Sequence, residues 1–277
     1  MNILITGSNG FIGRNLAKFL ASPQNSIFCM NRDNCNMLSG SDMKYFFDNS
    51  PKFDLIIHTA IKGGRRLHKD NEDIVFQNVV MLHNLLNNKH KFKHMISFGS
   101  GAELDRRYDV NPHSKKSYPV DPYGLSKSVI NNIIMNEEQL SNFRIYNCFG
   151  LDEKEQRMIK HNIIQYIQHK DITIHMDRYM DFFYIEDLYR LINDCIEKNY
   201  FPKQIDCCYK QKVKLSEIAN IINELDEHKV QIIINNDSRT NIGVSDKDYI
   251  GQYSYNIQYI GLEQSLKIIY RKLKNEF

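Results

Sequence analysis

Short apolar runs alternate with segments of helical spacing through the first half of the chain. Runs of this length, bounded by polar residues, are typical of buried strands in a parallel sheet, and the intervening segments repeat apolar residues every three or four positions. This alternation predicts an α/β fold, a Rossmann-like doubly wound parallel sheet covered by helices on both faces. The predicted strands are Asn2–Thr6, Ser26–Met30, 54–58 and 93–98, and the predicted helices are Phe11–Leu20 and Asp73–Leu86.

The second half of the chain has a less regular pattern. It contains no internal repeat and no low-complexity linker, so we expect a small C-terminal α/β lobe packed on the sheet. We place a dinucleotide-binding domain at residues 1–165 and a mainly substrate-binding lobe at 166–277, with some elements of the lobe returning to the sheet. The predicted strands here are 173–175 and 229–234, and the predicted helices are 186–197, 215–225 and 262–273.

Composition and charge exclude several classes of protein. The chain has 277 residues, and 36 Lys and Arg against 33 Asp and Glu give a net charge of +3, so we expect no nucleic-acid surface. No run approaches eighteen apolar residues, and the N-terminal apolar run is too short for a signal peptide and lacks a basic leader, so we predict a cytoplasmic protein with no membrane span. The six cysteines lack zinc-ligand spacing, which predicts free thiols and no metal site.

Three glycines follow the first predicted strand directly. Gly7, Gly10 and Gly13 form a G-x-x-G-x-x-G turn that opens the first helix. Such a turn lets the backbone approach a pyrophosphate, which then lies at the positive end of the helix dipole. An ordinary glycine-rich turn is the alternative, but the position in the first strand–helix crossover favours dinucleotide binding. We assign cofactor contacts to Gly7, Asn9, Gly10, Phe11, Ile12 and Gly13.

The end of the second predicted strand bears on the choice of dinucleotide. A carboxylate there hydrogen-bonds both ribose hydroxyls of NAD and repels the 2′-phosphate of NADP. Here Asn31 and Arg32 stand at that end, and an arginine pairs with a phosphate bidentately. We therefore predict NADP (NADPH) rather than NAD. The alternative is that Arg32 is solvated and Asp33 is the ribose ligand.

A second motif carries groups suited to proton transfer. Tyr123 and Lys127 are four residues apart, so on a helix their side chains are neighbours. A nearby ammonium stabilises a phenolate and lowers the pKa of a tyrosine, which makes the phenol a better general acid. Ser100 lies at the end of a predicted parallel strand, where ligands of open α/β sheets gather, and its hydroxyl would hydrogen-bond the same substrate oxygen.

These motifs together resemble a known family over nearly the whole chain. The six residues are Gly7, Gly10, Gly13, Ser100, Tyr123 and Lys127. In this combination the chain resembles the extended short-chain dehydrogenases/reductases, the NAD(P)-dependent epimerases and dehydratases of nucleotide-activated sugars. Residues 144–150 resemble the family's R-x-x-N-x-Y/F-G segment, and residues 181–187 resemble its later R-D/E-F-V-x-V-D-D segment.

The resemblance implies further contacts. It assigns Thr59, Ala60 and Asn78 to the cofactor together with Tyr123 and Lys127. The position of Asn147 contacts substrate in the family, and Arg178 is expected to replace a pyrophosphate-binding arginine whose position Met180 occupies. The basic tract of Lys62, Arg65, Arg66, His68 and Lys69 either borders the sugar pocket or is a solvated loop. The implied substrate-binding residues are Lys62, Ser100, Tyr123, Asn147, His161 and Arg178.

Within the family the chain is most similar to the GDP-L-fucose synthase branch, which epimerises a 4-keto-6-deoxy sugar and reduces it with NADPH. The epimerisation uses a cysteine two positions after the serine together with a histidine. Ala102 stands at the cysteine position and has no acid–base capacity, and His161 is either the histidine or a helical surface residue. Gly101 and Ala102 also replace the Asp-Glu pair of a sugar 4,6-dehydratase, so dehydration is not expected.

We therefore predict an NADPH-dependent reductase of the 4-keto group of a nucleotide-diphosphate 6-deoxy sugar, active in nucleotide-sugar biosynthesis for glycans. The alternatives are an NAD-dependent 4-epimerase, a 3,5-epimerase/4-reductase and a non-catalytic dinucleotide-binding scaffold. The resemblance also implies a homodimer that pairs through the segments Asp73–Leu86 and 123–139.

Overall fold

The computed structural model describes residues 1–64, 70–104, 119, 121–235 and 257–276. The chain divides into two units, the first formed by Met1–Ile145 with Asn193–Ile205 and the second by Tyr146–Ile192 with Asp206–Phe277. Residues 146–165, which the sequence analysis placed in the dinucleotide domain, therefore fall in the second unit. How the chain divides by function stays a prediction.

The first unit alternates strands and helices along the chain. A short 3-10 turn, Gly101–Glu103, follows the fourth strand. The elements are β1 Asn2–Thr6, α1 Phe11–Leu20, β2 Ser26–Met30, α2 Gly40–Asp48, β3 Phe53–His58, α3 Asp73–Leu86, β4 Phe92–Ser100, α4 Pro122–Met135 and β5 Leu140–Ile145.

The strands form one sheet in the order β2-β1-β3-β4-β5, and a sixth strand, β10 (Gln204–Cys207), lies beside β5. All four pairings from β2 to β5 are parallel. The register places Thr6 opposite both Met30 and His58, and His58 opposite Ser97. The turns that follow β1, β2 and β3 therefore leave the sheet at one level along its carboxyl edge. The predicted Rossmann-like α/β class is confirmed.

The apolar runs are strands because both faces of this sheet are covered. Residues 3–5 of β1 and 55–57 of β3 have no exposed surface. Helices α3 and α4 contribute Leu82, Leu85, Ile130 and Ile134 to the same buried cluster. Burial of a Leu or Ile side chain contributes about 1.5–3 kcal/mol, so these runs dominate the stability of the unit.

The described residues of the second unit form short strands and four helices. The elements are β6 Cys148–Phe149, α5 Met158–Ile167, β7 Ile172–Ile174, β8 Tyr179–Met180, β9 Phe183–Tyr184, α6 Ile185–Glu197, β11 Val213–Lys214, α7 Leu215–Asn223, β12 Ile232–Ile234 and α8 Leu262–Lys274. The strands pair two by two, β11 with β8, β12 with β7 and β6 with β9. The divisions between the two units fall within α6 and β10.

Element bounds differ from the sequence expectation mainly in the second half. Strand β12 has three residues where six were predicted, and α4 ends at residue 135, four residues before the predicted end. The sequence analysis did not anticipate α2, β5 or α5. None of the helices in the described ranges combines the length and apolarity needed to cross a bilayer.

Candidate active site

The turn after β1 leaves no room for a side chain at Gly7 or Gly13. Gly7 has φ of +66°, and a Cβ added there would lie 2.7 Å from the Cα of Ala60. A Cβ on Gly13 would lie 2.7 Å from Thr59 Oγ1 and 2.6 Å from the carbonyl oxygen of Gly7. These approaches bring the start of α1 directly against the ends of β1 and β3. The turn has the close backbone packing that a dinucleotide cradle requires.

The N-terminus of α1 is open to an anion. Gly10 is the N-cap, with φ −74° and ψ 164°, and no side chain caps the helix. The first turn carries no acidic residue, and Phe11 and Ile12 are half-buried. The backbone N–H of Gly10 donates to the Gly7 carbonyl at 2.9 Å, which closes the turn. The free N–H groups of α1 and its positive dipole end suit a diphosphate, so the residues present fit a bound dinucleotide.

The end of β2 is tied to this turn by amide side chains. Asn31 Nδ2 donates to Asn9 Oδ1, and Asn9 Nδ2 donates to Asp33 Oδ2, both at 3.3 Å. The backbone N–H of Asp33 donates to Asn31 Oδ1 at 2.8 Å. Arg32 is exposed on the same turn. An acidic and a basic side chain therefore both stand at the position that distinguishes the two dinucleotides.

The carboxyl end of β3 carries a buried polar pair. Thr59 Oγ1 donates to the Thr6 carbonyl at 2.6 Å, and Thr6 Oγ1 lies 2.8 Å from His58 Nδ1. Burial and, to a smaller extent, the positive charge of Lys127 lower the pKa of His58 to about 3. The imidazole is therefore neutral at physiological pH and acts as a hydrogen-bonding group.

Asn78 fixes the loop that follows β3. Its Oδ1 accepts from the backbone N–H of Lys62 at 2.8 Å, and its Nδ2 donates to the Lys62 carbonyl at 3.1 Å and to Ser126 Oγ at 3.0 Å. Asn78 is 1% exposed. Its amide thus joins the loop to α4 rather than opening to solvent.

The same loop contacts the tyrosine of the proton-transfer motif. Gly64 has φ of +69°, and a Cβ there would lie 2.7 Å from Tyr123 Cε2. The Gly64 backbone therefore packs on the Tyr123 ring. The basic tract, for which the sequence left open a place at the sugar pocket or a solvated loop, includes Arg65, Arg66, His68 and Lys69, which lie outside the described residues.

Helix α4 brings Tyr123 and Lys127 together. Asp121 caps the helix by accepting from the N–H of Gly124 at 2.7 Å. Lys127 is 7% exposed, and its Nζ donates to the Phe98 carbonyl at 2.5 Å and lies 5.9 Å from the Tyr123 ring centroid. Burial lowers the pKa of Lys127 to about 8, while the negative charge of Glu103 acts in the opposite direction.

Ser100 ends β4 and begins the 3-10 turn. Its Oγ accepts from the N–H of Ala102 at 3.2 Å. Helix α4 packs closely on this turn, because a Cβ added at Gly124 would collide with the Ala102 carbonyl. Ser100 and Tyr123 are both half-buried, which leaves them accessible to a ligand. Helix α4 and the end of β4 thus hold all three predicted catalytic side chains of the first unit.

Two charged residues at this site were missed. Glu103 and Arg144 form a buried ion pair, with Arg144 Nε 2.5 Å from Glu103 Oε1. Arg144 had been noted only as part of a sequence segment, and Glu103 had no assigned role. The signal that was available is the S-x-x-E spacing of a capping box, which Ser100 and Glu103 form.

The remaining predicted substrate residues belong to the second unit. Asn147 has φ of +39°, and its Nδ2 donates to the Asp181 carbonyl at 2.9 Å. His161 is exposed on α5. Arg178 is half-buried before β8, and its carbonyl accepts from the N–H of Leu215 at 3.1 Å. Their proposed contacts with substrate stay predictions.

Comparison with known sequences identifies a family. The model of the NAD dependent epimerase/dehydratase family matches residues 3–207. This range covers the glycine turn, the Ser100 turn and helix α4. No curated protein sequence matches the chain.

Solved structures share the fold at low sequence identity. A GDP-L-fucose synthetase from Naegleria fowleri bound to NADP aligns with a TM-score of 0.78 and 16% identity over 99% of this chain and 93% of that one. The UDP-glucose 4-epimerase of Thermotoga maritima aligns with a TM-score of 0.80 and 16% identity over 100% of this chain and 99% of that one. A GDP-mannoheptose C4 reductase from Campylobacter jejuni with NADP bound aligns with a TM-score of 0.79 and 14% identity over 99% of this chain and 98% of that one. Both reductases and epimerases are thus similar in fold.

Proposed function

The chain belongs to the NAD dependent epimerase/dehydratase family, and we propose that it is an NADPH-dependent reductase of the 4-keto group of a nucleotide-diphosphate 6-deoxy sugar. The observation that carries the proposal is the placement of Lys127, buried and hydrogen-bonded to Phe98, beside the Tyr123 ring. An acid–base pair at the carboxyl edge of a parallel sheet suits proton transfer to a carbonyl oxygen. Ala102 stands at the position where a 3,5-epimerase would carry an acid–base cysteine, and its side chain has no acid–base group.

The residues of the first unit have separate roles in this reaction. When bound, the reduced nicotinamide supplies the hydride that reaches C4. Tyr123 donates its phenolic proton to the oxygen on C4 as negative charge develops there. Lys127 stabilises the phenolate that remains, and Ser100 donates a hydrogen bond to the same oxygen. The substrate contacts proposed in the second unit are those of Asn147, Arg178 and His161. The further substrate contact proposed in the first unit is that of Lys62, in the loop after β3.

The alternatives differ in what they require. A 4-epimerase uses the same Ser100, Tyr123 and Lys127 but keeps NAD bound and regenerates it. A 3,5-epimerase/4-reductase needs two further acid–base groups, and Ala102 and the exposed His161 weigh against that pair. A dinucleotide-binding scaffold needs none of the three catalytic side chains, and all three are present.

The test is incubation of the purified protein with NADPH and a 4-keto-6-deoxy sugar nucleotide. We expect loss of reduced-nicotinamide absorbance in proportion to the reduced sugar formed. Conversion of a nucleotide sugar with no net change in cofactor absorbance would establish the epimerase instead. Cofactor binding without any turnover, unaffected by Tyr123→Phe, would establish the scaffold.

The preference for NADPH rests on Arg32, which is exposed at the end of β2. The 2′-phosphate would pair with its guanidinium, while Asp33 is engaged by Asn9. We expect Arg32→Ala to raise the dissociation constant of NADPH about tenfold and to leave that of NADH nearly unchanged, since an exposed charged hydrogen bond contributes about 1.5 kcal/mol. Fluorescence titration measures both constants. Tighter binding of NADH in Asp33→Asn than in the parent would argue against Asp33 as the ribose ligand.

The oligomer proposed for this enzyme is a homodimer that pairs through α3 and α4. Leu125, Val129 and Ile133 line an open cleft of about 490 Å³ on α4, and Phe76 on α3 is 72% exposed. Leu82 and Leu85 have no exposed surface and belong to the core. Light scattering should give the mass of two chains, and Val129→Glu should give one. The predicted cytoplasmic location stays a prediction.

A further inference from the structure

Glu103 is a buried carboxylate that contacts an arginine and an asparagine. It is 5% exposed, and its Oε1 lies 2.5 Å from Arg144 Nε. Asn142 Nδ2 lies 3.2 Å and 3.4 Å from the two carboxylate oxygens. A charge this deep is stable only when paired and hydrogen-bonded, and the strand β5 provides both partners.

The same carboxylate shapes the turn that carries Ser100. Its Oε2 lies 3.5 Å from the N–H of Ser100, and the Ser100 hydroxyl accepts from Ala102, which completes a capping box. A Cβ added to Gly99 would lie 2.7 Å from Glu103 Oε2. The carboxylate therefore packs directly on the end of β4 and contacts the backbone of Ser100 itself.

Glu103 is also part of the charge environment of Lys127. The groups that face Lys127 are the Phe98 carbonyl of β4, the neutral His58 of β3, the Tyr123 ring of its own helix and Glu103 of the turn, with Arg144 of β5 behind Glu103. Among the described residues, Glu103 is the carboxylate that acts on the Lys127 charge. Its loss would remove this negative charge from the surroundings of the buried Lys127 ammonium.

We propose that Glu103 is a positioning residue of this site: paired with Arg144, it fixes the turn that carries Ser100 and places a buried negative charge against Gly99, one residue after the Phe98 carbonyl that accepts from Lys127. The inference rests on the proposed function for the roles of Ser100 and Lys127. The geometry on which it stands lies wholly within the first unit. It does not require a particular sugar.

The kinetic test compares the parent with Glu103→Gln and with Asp54→Asn. The glutamine keeps the shape and removes the charge. Asp54 serves as the control, since it also pairs with a basic residue, Lys93, but lies at the amino end of β3, away from the site at the carboxyl ends of the strands. We expect Glu103→Gln to lower kcat about tenfold and to move the alkaline limb of the kcat–pH profile about one unit lower, with little change in the KM for NADPH. Asp54→Asn should keep the parent profile.

A double variant separates the electrostatic role from a structural one. Glu103→Gln alone removes the carboxylate that pairs with the buried Arg144 guanidinium, so its unfolding temperature should fall. Glu103→Gln combined with Arg144→Met removes both charges, so the unfolding temperature should recover while the alkaline limb stays displaced. If the double variant regains the parent's alkaline limb as well as the parent's unfolding temperature, the proposal is overturned.

A readout without substrate keeps this inference distinct from the proposed function. The difference in unfolding free energy between each protein and its Lys127→Met counterpart isolates the ionisation of Lys127. Because the folded pKa of Lys127 lies below the unfolded one, this difference rises with pH from the folded value to about 10.4. The rise should begin near pH 8 in the parent and about one unit lower in Glu103→Gln. An identical onset in both would refute the role of Glu103, even if no sugar is ever reduced.

Discussion

Buried polar side chains have different roles in the two units. In the first unit the strands β1, β3 and β4 have five to nine residues, and the polar groups lie at their carboxyl ends. In the second unit the strands have two or three residues, and buried carboxylates accept hydrogen bonds from backbone N–H groups just before a helix or in its first turn. Asp187 accepts from the N–H groups of Ile260 and Gly261 at 2.7 and 3.0 Å, and Asp177 accepts from that of Ser216 at 2.9 Å.

The difference follows from where the backbone finds its hydrogen bonds. A long buried strand satisfies its own polar groups in the sheet, so nearby side chains are available for a ligand. Strands of two residues satisfy few, and side chains must complete the structure. The comparison therefore predicts that polar substitutions in the first unit reduce activity, whereas those in the second unit reduce stability.

The largest effect is expected at Tyr123 in the first unit. Tyr123→Phe removes the proton donor and should lower kcat by about 10²–10⁴-fold, the usual contribution of general acid catalysis. The ring still packs on Gly64, so the unfolding temperature should stay close to that of the parent. Steady-state kinetics and thermal unfolding measure the two effects.

Tyr45→Phe is the matched control for Tyr123→Phe. Tyr45 is 73% exposed on α2, and its substitution should change neither property. A Tyr123→Phe enzyme that is inactive only because it is unfolded would contradict the separation of chemistry from stability.

The next effect tests the second unit at Asp187. This carboxylate has no exposed surface and accepts from Tyr209 at 2.5 Å as well as from the segment before α8. Asp187→Asn should lower the free energy of unfolding by about 2–3 kcal/mol, because buried hydrogen bonds to a charged group are lost. Chemical denaturation measures the change. Asp194→Asn, which breaks an i,i+4 pair with Lys198, should cost about 0.5 kcal/mol or less.

A third prediction concerns packing at the glycine turn. Gly13→Ala places a Cβ against the Gly7 carbonyl and Thr59, and overpacking of this kind costs about 1–3 kcal/mol. Since the displaced turn is the proposed diphosphate cradle, the dissociation constant of NADPH should rise as well. At Gly40 the nearest atom to an added Cβ is 3.7 Å away, so Gly40→Ala should be neutral or slightly stabilising. Equal behaviour of the two variants would show that the turn is an ordinary one.

The sequence predicted the first unit well where apolar runs dominate. Strands β1 and β2 and helices α1 and α3 have their predicted bounds, because each apolar pattern there is uninterrupted. Strand β5 was missed because Ser141, Asn142 and Arg144 interrupt its apolar residues although all are buried. Asn142 and Arg144 are the partners of Glu103, so two of the polar residues that interrupt the pattern belong to the candidate site.

The candidate site was predicted to the extent that its residues are close in sequence. The glycine spacing and the Tyr123–Lys127 spacing are visible in a single segment each. Glu103 and Arg144 are 41 positions apart, and their pairing requires the sheet order β4-β5, which periodicity alone does not specify. Still less of the second unit could be predicted, since strands of two residues are too short to show an apolar pattern in the sequence.

The last effect is a pH dependence of stability in the second unit, and it has the opposite sign to that of Lys127. Burial raises the pKa of Glu153 to about 7, while Arg157 opposes the rise. Between about pH 4.3, the unfolded value, and pH 7 the folded protein binds more protons at this site, so its stability falls as the pH rises. Relative to Glu153→Gln, the parent should therefore lose unfolding free energy continuously over this window. Denaturation at several pH values measures it, with Glu227→Gln, an exposed carboxylate of the same unit, as the control. Parallel stability profiles for the parent and Glu153→Gln would mean that the second unit tolerates a buried charge at no cost, and the contrast between the units would then rest on Asp187 alone.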